Sequence, residues 1–157
     1  MSKDKSIRLG YGLTGIKFGM TKEELQEAMG APSEKDSFTN EDDSTITEAW
    51  HYDEVSLSFT FDEADDFRLG GISVNNDEYR LRDVIAVGMK KEKVLDALDD
   101  LNFGPYGVED MSNEENPSHE LVALDHKSLY LWFDDDHLSE IQWFPAFDDN
   151  EEVIWPD

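Results

Sequence analysis

Val55-Ser56-Leu57-Ser58-Phe59-Thr60-Phe61 alternates apolar with small polar side chains. A period of two is the signature of a strand with one face buried and the other open. Seventy-two positions further on, Leu129-Tyr130-Leu131-Trp132-Phe133 runs in the same phase. Each stretch belongs to a longer similarity: Glu48 to Asp62 aligns without gaps with Glu120 to Asp134, placing Asp53 on Asp125, Ser56-Leu57 on Ser128-Leu129 and Phe61-Asp62 on Phe133-Asp134. Upstream, Ile16 to Met29 aligns with Ile85 to Leu98 at an offset of 69, and the same offset pairs Ile72 with Ile141 after the acidic turn. Self-similarity at a fixed spacing is the mark of a repeated unit. The chain is expected to hold two copies of one unit.

The order within a unit is legible. Thr21 followed by Glu24 makes a capping box, Met20 and Leu25 fit a hydrophobic staple, and Leu25, Ala28 and Met29 form one apolar stripe that Gly30 and Pro32 stop. Val94, Ala97, Leu98 and Leu101 repeat the stripe before Gly104-Pro105, although Lys90, Lys91 and Lys93 oppose the helix dipole at its start. Strands are expected at Ile46 to Tyr52, Val55 to Phe61, Gly71 to Val74, Glu120 to Leu124, Leu129 to Phe133 and Leu138 to Trp143, joined as antiparallel meanders. The polar, acidic segments Ser33 to Ser44 and Asp110 to Ser118 read as loops. The expected fold class is α+β: two tandem helix-plus-antiparallel-sheet repeats, 14–78 and 79–145, helices on one face of the sheet, then a tail, 146–157, all in a single domain.

Composition narrows the function. The 157 residues carry 38 acidic and 13 basic side chains, a net charge of −25, with 9 Phe, 5 Tyr and 4 Trp, too many aromatics for a disordered acidic tail. The charge is lopsided: of all residues from 94 onward only Lys127 is basic, against 18 acidic side chains. Such a surface is repelled by phosphate backbones and anionic membranes, so no direct nucleic acid and no membrane is expected, and a basic protein is the natural partner. The absence of Cys excludes disulfides, thiolate metal sites and a cysteine nucleophile. The charged start, Met1 to Ser6, leads into a mixed run rather than an apolar signal core, which points to a cytoplasmic location. Histidine spacings for metal, a serine elbow and a phosphate loop are all missing; Gly10-Tyr11-Gly12-Leu13-Thr14-Gly15 lacks the lysine a phosphate loop needs and reads as a flexible lead-in. No cofactor and no catalysis are expected.

The run Gly19-Met20-Thr21-Lys22-Glu23-Glu24-Leu25, the Gly30-Ala31-Pro32 stop, Trp50 and Tyr52, and a hairpin ending Phe59-Thr60-Phe61-Asp62 together resemble the repeat unit of the SmpA/OmlA (BamE-like) lipoproteins. Two such units in tandem resemble the beta-lactamase inhibitor protein fold. The resemblance implies a binding protein in which helices cover one face of a sheet and the open, aromatic-bearing face grips another protein. The departures from it are the missing lipidation cysteine, signal peptide and cysteines, which set a periplasmic or secreted target aside.

If Leu129, Leu131 and Phe133 face the helices, Tyr130 and Trp132 point to the opposite side, where the first copy has only Ser58 and Thr60. Exposed Tyr and Trp are the material of binding hot spots. By the same phase His51 and Gln142 join them, and Asp134, Asp135 and Asp136, in a hairpin turn with His137, supply a negative rim. The other possibility is that Phe144, Phe147 or Trp155 folds over this face and makes it a second core. Trp50 and Tyr52 align with Val122 and Leu124 and read as core. The leading expectation is a non-enzymatic, immunity-type inhibitor occluding the basic groove of a partner such as a nuclease toxin. A scaffold module without inhibitory role, and a hydrolase with a carboxylate site, are the alternatives.

Overall fold

The computed structural model describes residues 6–13, 15–41, 44–115, 117–150 and 152–155. Met1 to Lys5 of the charged start, Thr14 of the glycine-rich run, and Asp42, Asp43 and Asn116 of the two expected loops lie outside the described residues.

One antiparallel sheet of eight strands dominates the chain. In chain order its strands are β1 (Glu34–Thr39), β2 (Ile46–Tyr52), β3 (Leu57–Asp62), β4 (Arg68–Val74), β5 (Gly107–Asp110), β6 (Glu120–Leu124), β7 (Leu129–Asp134) and β8 (His137–Trp143). Their spatial order is β1-β2-β3-β4-β8-β7-β6-β5. The two long helices are α1 (Lys22–Met29) and α2 (Lys91–Asp100).

This corrects the expected α+β class of two tandem helix-plus-sheet repeats. The chain is mostly β, 43% strand against 17% helix, and these eight strands form one continuous sheet rather than two sheets each carrying a helix. Two physical causes account for the difference. The segment Ser33 to Ser44, expected as a loop, contributes a strand at one margin of the sheet, whereas Asp110 to Ser118 is loop in its described residues apart from Asp110, the last residue of β5. All six residues of β1 are exposed, and it is held by its ladder to β2 rather than by an apolar face; β5, ending at Asp110, is likewise exposed throughout. At the centre, β4 and β8 pair directly, Ile72 with Trp143, Ser73 with Gln142 and Val74 with Ile141, which fuses the two halves.

Burial follows the alternation. Leu57, Phe59 and Phe61, and Leu129, Leu131 and Phe133, are buried on one face with Trp50, Tyr52, Ile72, Val122 and Ile141. They form one cluster with Leu25 of α1 and Val94, Ala97 and Leu98 of α2. Both halves of the capping box are made at α1: the Glu24 backbone N–H donates to Thr21 Oγ1 at 3.2 Å and the Thr21 N–H donates to Glu24 Oε1 at 3.0 Å. Each helix is tied to the sheet by a half-buried ion pair, Lys22 to Glu48 at 2.6 Å and Lys91 to Glu120 at 2.9 Å. Burial raises the Glu48 pKa, but bonds from Lys22 and Trp50 and the charges of Lys22 and Lys35 outweigh it and hold this carboxyl below its usual range.

The glycine-rich lead-in is built rather than loose. Gly12–Leu13 pairs with Ile16–Lys17, and a Cβ at Gly12, whose φ is +136°, would sit 2.4 Å from the Ile16 carbonyl. Among the described residues no helix is long and apolar enough to cross a membrane.

Candidate functional site

The face of the sheet opposite the buried cluster carries the polar half of each alternation. Cross-strand register places Ser58 beside Ser73, Ser73 beside Gln142 and Gln142 beside Tyr130, so these side chains make one row across the middle of that face. The rows on either side of it differ: Thr60 stands beside Gly71 on one, and Glu140 beside Trp132 on the other. Small residues stand on the β3–β4 side and large ones on the β8–β7 side.

Tyr130 and Trp132 lie half-buried on this open face. Trp132 is fixed on three sides. Its Nε1–H donates to Gln142 Oε1 at 3.2 Å, its ring stacks on the His119 imidazole with centroids 5.2 Å apart at 15°, and its carbonyl accepts from Ser139 Oγ at 3.1 Å, where the β7–β8 ladder shifts register. Such irregularities commonly re-aim side chains beside functional sites. His119 Nδ1 in turn lies 2.9 Å from Asp134 Oδ1. Tyr130 donates its hydroxyl to Asp125 Oδ1 at 3.2 Å; burial first, then the Asp125 charge and bond, raise the phenol pKa above its ordinary value. Glu140, opposite Trp132, accepts from Asn75 Nδ2 at 3.2 Å. Its pKa is raised by burial, with the Asn75 bond and the His119 charge pulling the other way.

The structure therefore gathers four of the expected residues, Tyr130, Trp132, Gln142 and Asp134, into one connected group. His51 shares the face but not the group. It sits four strand spacings from Tyr130, about 19 Å, and is occupied by Ser58 Oγ at 2.8 Å and Asp36 Oδ2 at 3.0 Å. Asp135 and Asp136 are the two central residues of the β7–β8 hairpin, with φ of +51° and +61°, and both are exposed. The Asp135 backbone N–H donates to Ser118 Oγ, which itself donates to Asp135 Oδ1 at 3.0 Å.

The tail covers a limited part of this face. Phe144 lies against Tyr130 edge-on at 5.6 Å and over Gly71, where a Cβ would approach Phe144 Cε1 to 2.9 Å. Phe147 is half exposed, and Trp155 packs on Gly19 with the Arg68 guanidinium over its ring. Among the described residues the alternative of a second core is thus reduced to one ring, Phe144, beside Tyr130.

His119, Glu140 and Asn75 were not singled out in the sequence. His119 follows directly on the segment read as a loop, yet it lies two positions before Leu121 and so shares its face; Glu140 lies two before Gln142 in the same strand. The period of two could have found both.

No protein-family model matches this chain, and neither does any curated protein or solved structure searched.

Proposed function

We propose that this protein is a non-enzymatic, acidic, immunity-type inhibitor that binds a basic protein through the open sheet face and occludes its groove, a nuclease toxin being the partner that best fits the charge. The observation that carries this reading is the Tyr130–Trp132 group: two aromatic side chains pinned by neighbours on a sheet face covered only in part, by Phe144, and flanked by Asp125, Asp134 and Glu140 in a chain of net charge −25. Rigid aromatics supply contact area at low entropy cost, and the carboxylates steer a cationic partner and reject anionic ones. Occlusion places carboxylates where a nuclease would hold phosphates. The immunity label leans also on the resemblance to tandem inhibitor repeats.

The test is capture of partners on the immobilised protein, followed by kinetics with the captured protein and an assay of its nuclease activity. The reading expects a basic partner, inhibited on binding, whose association rate falls steeply as the Debye length shrinks from about 10 Å at 0.1 M salt to about 3 Å at 1 M. A partner bound equally fast at both salts, or one still active in the complex, contradicts it.

A further inference from the structure

Asn75, His119, Trp132, Asp134, Ser139 and Glu140 line one depression on the open face, of about 350 Å³. Its chemistry is unusual for a sheet surface. One wall is the His119–Trp132 stack, and two carboxylates, Glu140 and Asp134, open into the same space. Among the described residues Glu140 accepts a single hydrogen bond, from Asn75, through Oε1. A carboxylate has room for about four hydrogen bonds, so Glu140 lines the depression with acceptor capacity to spare.

We propose that this depression receives the guanidinium of an arginine side chain from the partner, its N–H groups on Glu140 and Asp134 and its plane against the Trp132 indole. The proposal deepens the reading of this face as the partner-binding surface and rests on it. A guanidinium fits better than an ammonium because it is planar, weakly hydrated, stacks on aromatic rings and meets carboxylates with a fork of donors. Burial disfavours the ionised Glu140 in the free protein, and a cation placed beside it reverses that cost. On the β3–β4 side, the corresponding cross-strand pair is Thr60 with Gly71, which offers neither ring nor charge and is covered by Phe144.

The experiment titrates acetyl-Gly-Arg-Gly-amide into the whole isotopically labelled protein and follows the Trp132 indole N–H by NMR, that resonance being assigned with Trp132→Phe. The citrulline and lysine tripeptides serve as controls, neutral isostere and ammonium. The expected result is a saturable shift with the arginine peptide, weakened about tenfold by Glu140→Gln, as loss of a charge-assisted hydrogen bond demands, and weakened also by Asp134→Asn. The proposal is overturned by the absence of a saturable shift, by citrulline or lysine performing as well as arginine, or by binding that neither substitution changes. Each of those outcomes leaves the broader reading of the face to be judged separately, by Tyr130→Ala and Trp132→Ala against a whole partner protein.

Discussion

Gly71→Ala is the substitution through which the packing of the open face can be measured. A methyl group at this position falls 2.4 Å from Thr60 Oγ1 and 2.9 Å from Phe144 Cε1. The first contact is relieved by turning the Thr60 side chain about χ1; the second requires the Phe144 ring to move, and that ring is held edge-on by Tyr130 at 5.6 Å. Overpacking of this kind costs about 1–3 kcal/mol. With a urea m-value of roughly 2 kcal/mol/M for a small domain, the unfolding midpoint should fall by about 0.5–1.5 M. Phe144→Ala alone loses the aromatic pair and part of the ring's burial, together about 1–2 kcal/mol. The combined variant is decisive, because with the ring gone only Thr60 opposes the new methyl. The Gly71→Ala cost should therefore drop below about 1 kcal/mol in the Phe144→Ala background, a coupling that contacting residues show and distant ones do not. Urea unfolding of the four proteins of the cycle reads this directly. Strict additivity, or a Gly71→Ala midpoint equal to that of the unmodified protein, would show that Phe144 does not lie over Gly71 and that the tail leaves the whole face bare.

Three further outcomes follow from other parts of the structure. Asp135→Asn with Asp136→Gly places the residues preferred by a two-residue hairpin at two positive-φ positions and should raise stability by about 1 kcal/mol, seen as a higher melting temperature. Lys91→Met and Glu120→Gln should each weaken the docking of α2 on β6, with a coupling energy of about 0.5–1 kcal/mol between them in a double-mutant cycle at low salt. Glu140→Gln should stabilise the free protein at neutral pH. The folded-state pKa of Glu140 lies above its ordinary 4.5, so its favourable contribution is complete below that value and is lost as pH rises through the folded pKa. The stability difference between variant and unmodified protein should accordingly be small in acid and open as pH rises past 4.5; a pH-independent difference would contradict the assigned burial.

The parts of this fold that were legible in the sequence are those where burial writes a pattern. Leu57, Phe59 and Phe61, and Leu129, Leu131 and Phe133, are all buried in the phase their alternation implies, and Thr21 with Glu24 caps α1 as the spacing required. The illegible parts are held by hydrogen bonds alone. The β1 segment Glu34-Lys35-Asp36-Ser37-Phe38-Thr39 has no apolar period because none of its residues is buried; an edge strand needs only a neighbour with free backbone groups. The pairing of β4 with β8 joins residues about seventy positions apart, and no local pattern specifies it. That junction, more than any helix, makes the chain a single mostly-β sheet. In the candidate site, Tyr130 and Trp132 stood out because large side chains interrupt a polar phase. His119 and Glu140 escaped notice because their role arises from cross-strand neighbours, Asp134 and Trp132.

The central claim is that the Tyr130–Trp132 surface is where a basic partner binds. It is tested most directly by measuring the association and dissociation rates of that partner with the unmodified protein and with Tyr130→Ala and Trp132→Ala, each first shown to fold by circular dichroism. The account predicts a loss of about 2 kcal/mol or more for Trp132→Ala, carried by faster dissociation, while the salt dependence of association is retained. Unchanged dissociation for both variants would place the binding surface elsewhere and contradict the account.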